Sequence, residues 1–173
     1  DRLTVENRDG RLVIGMRQFA GDDRRGSSPG AVLLRINAAT LQSATLVGAG
    51  SLHIDGMKGQ RVALGLRGPG KLSVDAVDTD RLAVAMIGNG TLTLAGKAKQ
   101  AQMTLSGSGV VDAGKLAVDG LISDSEGTGD HIFNAVKSAA ITTRGSGKTV
   151  VLGRPVCTVR NVGTGTVACG RAR

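Results

Sequence analysis

The chain returns to Gly-x-Gly seven times, at Gly48-Ala-Gly50, Gly68-Pro-Gly70, Gly88-Asn-Gly90, Gly107-Ser-Gly109, Gly127-Thr-Gly129, Gly145-Ser-Gly147 and Gly163-Thr-Gly165. The first glycines of successive copies lie 20, 20, 19, 20, 18 and 18 residues apart. No other feature constrains the fold as much. A unit of this length is one supersecondary element that cannot bury an apolar face alone, so copies must stack and bury a continuous one.

On either side of the glycines apolar residues recur with a period of two, the signature of strands with one buried face. Two and four positions after the second glycine stand Leu52 and Ile54, Leu72 and Val74, then Leu92 and Leu94. Four and two positions before the first glycine stand Leu64 and Leu66, Val84 and Met86, then Met103 and Leu105. Each copy thus predicts two short strands around a tight bend, and the stack predicts a right-handed single-stranded parallel β-helix of about seven rungs. Glycine is expected at each bend because a positive φ must be repeated there without side-chain collision. A second small residue, at Gly56, Ala76, Gly96, Ala135 and Gly153, is expected to close many rungs.

Residues 37–173 carry this repeat, and residues 1–36 depart from it while remaining part of one structural domain. "RLTVENRDGRLVIGM" predicts a hairpin around Asn7-Arg8-Asp9-Gly10. "FAGDDRRGSSPG" predicts a polar loop, and "AVLLRINAA" a strand leading into the first rung. The whole segment is expected to cap the N-terminal end of the stack, which would otherwise present unpaired backbone.

These stretches, in particular "GAGSLHIDGMKGQRVALGLRGPGKLSVDAV", "IGNGTLTLAG" and "LSGSGVVDAG" preceded by "LTVENRDGRLVIG" and closed by a two-cysteine final turn, resemble the autotransporter adhesin head, or GIN, domain family. The resemblance covers nearly the whole chain. It implies a β-helix of bacterial origin, exported to the periplasm or cell surface, often oligomeric and of undefined molecular activity.

Composition removes several alternatives. Phe19 and Phe133 are the only aromatic residues, which disfavours sugar-binding platforms and base-stacking nucleic-acid surfaces. Apolar runs are far shorter than the roughly 20 residues of a membrane-crossing helix. The formal net charge of +8 favours polyanions in general. The basic residues are spread along the chain, however, and charge alone selects no ligand. The chain opens on Asp1 in a polar, strand-like segment, and the expectation is an exported protein whose signal peptide has been removed.

Cys157 and Cys169 lack the partner spacing of a zinc site and are expected to form one disulfide. The repeat places both at inward positions on opposing strands of the final rung.

"TTRGSGKTVVLG" contains the Gly147-Lys148-Thr149 ending of a phosphate-binding loop, but Thr142 stands where that motif needs its first glycine. A strand rather than a helix is expected to follow, which leaves no helix N-terminus for a phosphate. A calcium-binding roll is excluded as well, since only Asp130 among seven equivalent positions is acidic.

Ser123, Ser125, His131, Thr143, Thr149 and Asn161 occupy inward registers that are apolar in earlier rungs. Ser125 with His131 would be the nucleophile and base of a hydrolase. A polar ladder satisfied by neighbours and bound water is the favoured account, because no strained elbow accompanies Ser125. His53 falls at an outward position with no partner evident in the sequence, and outward acids do not stack between rungs. Small outward residues, Ala63, Gly65, Ala83 and Ala85, form a candidate face for self-association. The sequence therefore predicts no cofactor, no metal site and no catalysis. It predicts a structural or adhesive envelope module, whose partners are a second copy of itself or envelope glycans and polyanions such as lipopolysaccharide.

Overall fold

The computed structural model describes residues 3–8, 11–16 and 40–171. The chain divides into two compact units, Asp1–Ile36 and Asn37–Arg173. In the first, β1 (Leu3–Arg8) and β2 (Arg11–Met16) pair antiparallel, with Val5 opposite Ile14. The Thr4 hydroxyl donates to the Gly15 carbonyl at 3.1 Å. The turn at Asp9 and Gly10, the polar loop of residues 19–30 and the strand of residues 31–39 lie outside the described residues.

The second unit is a parallel β-solenoid of about seven turns, with no helix among the described residues. Its strands are β3 (Ser43–Val47), β4 (Ser51–Ile54), β5 (Met57–Arg67), β6 (Lys71–Gly88), β7 (Thr91–Gly107), β8 (Val110–Gly127), β9 (His131–Gly145), β10 (Lys148–Leu152), β11 (Val156–Val162) and β12 (Thr166–Arg171). Ladder partners follow the glycine spacing: Leu46 lies against Leu66, Leu66 against Met86, Met86 against Leu105, Leu105 against Ser125, Ser125 against Thr143 and Thr143 against Asn161. The columns aligned in the sequence are thus physical columns of stacked side chains.

These columns fill the interior. Leu72, Leu92, Leu94, Val111, Leu116 and Val151 are at most 1% exposed, and each such side chain contributes on the order of 2 kcal/mol by leaving water. The glycine bends behave as expected. Gly48, Gly68, Gly88, Gly107, Gly127, Gly145 and Gly163 all have positive φ, between 103° and 135°.

Two features differ from the sequence expectation. The two short strands expected per rung are fused through the middle of the stack into β6, β7, β8 and β9, of 18, 17, 18 and 15 residues. The mid-rung corner is taken up by register shifts, as between Val74 and Val77 or Thr93 and Ala95, which bend a strand without ending its ladder. Only the Gly-x-Gly bend interrupts it.

The last rung is also wetter than its register implies. Every residue of β11 is exposed, including Val159, Cys157 and Asn161, although they pair in register with the buried Ile141, Ala139 and Thr143. Burial requires a rung on each side, and no described strand stacks beyond β11.

Candidate functional site

Two groups of side chains could carry chemistry, one in the lumen and one on the outer surface. In the lumen the core turns polar between β8 and β10. Ser123, Ser125, His131, Thr143 and Thr149 are all buried, at 2, 6, 6, 8 and 2% exposure. Asn161, placed inward by the sequence, is exposed, yet its side-chain oxygen accepts a 2.7 Å hydrogen bond from the Thr143 hydroxyl. Its amide in turn donates to the Gly165 carbonyl at 2.7 Å.

Ser125 donates a long, weak bond of 3.5 Å to the Thr142 carbonyl. The Ser123 hydroxyl and His131 Nδ1 are buried without a hydrogen-bond partner. A cavity with about 10 Å³ of room for a water centre is lined by Ser125, His131, Thr143 and Thr149, among others. That volume is at the lower limit for one water.

Burial pushes the His131 imidazole down to about 4, against a weaker opposing pull from the Asp130 carboxylate. The ring packs on Phe133 with centroids 6.1 Å apart. Such an imidazole is a poor base at neutral pH, and the Ser125 hydroxyl donates to the Thr142 carbonyl rather than to the ring.

The depressed value has a consequence for stability. The unfolded chain binds a proton at His131 below pH 6.5 and the folded chain only near pH 4, so stability from this group is complete above 6.5 and lost as pH falls through that window. The expected loss between pH 7 and pH 4 is on the order of 2 kcal/mol. Urea unfolding of wild type and His131→Leu across this range should show a smaller acid loss in the variant.

The outer surface holds the second group. His53 of β4 is not isolated: its Nδ1 lies 2.8 Å from the Ser73 hydroxyl, one rung away in β6. Its Nε2 lies 3.2 Å from Asp55 Oδ1 and 3.3 Å from Asp75 Oδ2. Asp55 and Asp75 are outward acids at equivalent offsets of neighbouring rungs, which corrects the expectation that no outward acids stack. The sequence signal was present: reading outward offsets as columns puts His53 over Ser73 and Asp55 beside Asp75.

Other outward charges pair across rungs, as in Lys99 with Asp80 and Lys137 with Asp119 at 2.7 Å and Arg144 with Asp124 at 2.8 Å. Being exposed and screened by solvent, these pairs add little to stability. Ala63 lies in register with Ala83 and Gly65 with Ala85, all on the outer face. A side chain at Gly65 would meet Thr45 at 2.9 Å, so glycine lets the Thr45 side chain lie flat there.

Lys148 and Thr149 of the loop-like sequence open strand β10, and the Lys148 amide donates to the Asp130 carboxylate at 3.1 Å. The Lys148 amide is therefore committed within the solenoid. At the far end Cys157 and Cys169 are joined by a disulfide across a sequence separation of 12, Cys157 exposed and Cys169 partly buried. Closing a loop of that size restricts the unfolded chain by about 3 kcal/mol, at the rung with the fewest neighbours.

A repeated bend, a filled lumen and outward faces built of register-aligned side chains define a β-solenoid whose accessible chemistry is on its exterior. The chain belongs to the family described as putative auto-transporter adhesin, head GIN domain, whose model matches residues 1–155. The final rung lies beyond that match.

Two solved structures share the fold. A putative adhesin from Bacteroides fragilis NCTC 9343 superimposes with a TM-score of 0.82 at 24% identity, over 96% of this chain and 76% of that one. A putative lipid binding protein from Parabacteroides distasonis ATCC 8503 gives 0.70 at 17% identity, over 98% of this chain and 79% of that one. At these identities the likeness is one of fold. No curated protein matches the sequence significantly.

Proposed function

We propose that this chain is a non-catalytic structural and adhesive module of the bacterial envelope, located in the periplasm or at the cell surface. The observation that carries the reading is the lumen. Its paired nucleophile and base candidates among the described residues, Ser125 and His131, are buried, and the Ser125 hydroxyl donates to the Thr142 carbonyl, which leaves the repetitive exterior as the working surface. Family membership and the adhesin among the solved neighbours support the same reading. The disulfide suits an oxidising compartment. Among the described residues no helix is long and apolar enough to cross a membrane.

Self-association through Ala63, Gly65, Ala83 and Ala85 is part of the proposal. Light scattering at high concentration should give a mass above the 17.5 kDa of one chain, reduced to one chain by Ala83→Glu with Ala85→Glu. A monomeric wild type overturns that surface. Hydrolysis of a generic ester, abolished by Ser125→Ala, overturns the non-catalytic reading.

A second reading, binding of polyanions or envelope glycans, is favoured by one observation. Arg61 and Arg81 are ladder partners on the outer face, and neither has an ion pair among the described residues. Retention on lipopolysaccharide or heparin that falls with salt, and falls further in Arg61→Ala with Arg81→Ala, would establish it.

A further inference from the structure

The geometry points to a divalent transition-metal site formed by His53, Asp55 and Asp75 on the outer face of the first two rungs. Nδ1 lies 2.8 Å from the Ser73 hydroxyl, and with Nδ1–H donating there a neutral ring offers its Nε2 lone pair to a metal ion. Nε2 lies 3.2 and 3.3 Å from two carboxylate oxygens. A proton on Nε2 holds these three atoms together as an ion pair, and a metal ion can take the place of that proton.

The distances suit a metal ion. Tetrahedral coordination with bonds of about 2.0–2.1 Å puts neighbouring ligand atoms about 3.3–3.4 Å apart, and an octahedral edge is about 2.9 Å. Both histidine–carboxylate edges fall inside this span. All three ligand atoms lie within 4.8 Å of one another, and the carboxylates, fully exposed in Asp55 and 64% exposed in Asp75, are free to swing and close the remaining edge.

An imidazole beside two carboxylates selects Zn²⁺, Co²⁺ or Ni²⁺ over Ca²⁺ and Mg²⁺, which favour all-oxygen shells. Solvent completes the coordination. The Ser73 hydroxyl holds the ring, as outer-sphere partners of metal-bound histidines do. The ion would tie His53 and Asp55 of one rung to Asp75 of the next, at the end of the stack where Leu52 is only partly buried. No local motif announces the site, because its ligands come from two turns of the solenoid and meet only through the repeat offset.

The test uses the full chain, free of any polyhistidine tag. Calorimetric titration with Zn²⁺ at neutral pH should show one saturable equivalent, and Co²⁺ should give the visible bands of a low-symmetry site. His53→Ala and Asp75→Asn should each weaken binding about tenfold or more, and Ser73→Ala by a smaller factor. Zn²⁺ should raise the thermal midpoint of wild type and not of His53→Ala. These residues are exposed, so unchanged far-ultraviolet circular dichroism is expected for the variants. Asp55→Asn provides a further ligand variant should one of them misfold. Absence of saturable Zn²⁺ and Co²⁺ binding, or binding undiminished in both His53→Ala and Asp75→Asn, would overturn the site.

Discussion

Gly127→Ala is expected to destabilise the solenoid by about 4 kcal/mol, a large share of the roughly 5–15 kcal/mol that holds a domain folded. Two costs add. Gly127 has φ of +125°, a conformation that costs a non-glycine residue about 1–3 kcal/mol. A Cβ there would also collide with the carbonyl oxygen of Gly107, one rung below, and backbone in a ladder has little room to move.

Gly48→Ala separates the two terms. Gly48 has φ of +103°, but a Cβ on it would meet nothing within 4 Å, because no described rung lies beneath. It should therefore lose only the conformational part, about 1–3 kcal/mol. Urea midpoints of the two variants measure the difference. Equal losses would show that stacking contact at the bend contributes nothing.

Phe133→Ala is expected to cost about 3–5 kcal/mol. Phe133 is 1% exposed and belongs to a part of the lumen where Ala113, Ala135 and Ala139 are equally buried, so neighbouring side chains are too small to refill its volume. Phe133→Leu should cost less than about 1.5 kcal/mol, since it keeps most of the apolar bulk. A second readout is specific to this ring. It covers one side of His131, and its removal lets water approach the imidazole, so the acid loss of stability should shrink in Phe133→Ala. An alanine variant with near wild-type urea midpoint would mean that the lumen collapses freely around the site.

Most of the fold was legible in the sequence because the repeat states its own register. The offset between ladder partners is the glycine spacing, and the period of two assigns each residue between glycines to the inside or the outside. The repeat alone stacks Leu66, Met86 and Leu105 in one column. The same arithmetic found the unusual column in which Ser125 and Thr143 follow Leu105. It also put a strand, from Thr149 onward, where a phosphate-binding loop needs a helix.

The candidate sites were less legible. His53 reads as unpartnered in the sequence because two of its contacts, Ser73 and Asp75, are 20 and 22 residues away and lie across rungs on a face where composition follows no strong pattern. The luminal polar group was found, but not which of its atoms remain unpaired. That depends on hydroxyl reach: Thr143 meets Asn161 while Ser123 meets nothing.

The sequence by itself determined the period, the ladder register, the side of the sheet each residue occupies and the glycine at every bend, because these follow from local alternation and from the backbone's need for positive φ. The tertiary structure alone decided how far strands run through their corners, how wet Cys157 and Asn161 are in the last rung, and that His53, Asp55 and Asp75 converge. Those outcomes depend on distances between different turns of the solenoid and on whether another rung lies above, which no stretch of neighbouring residues encodes.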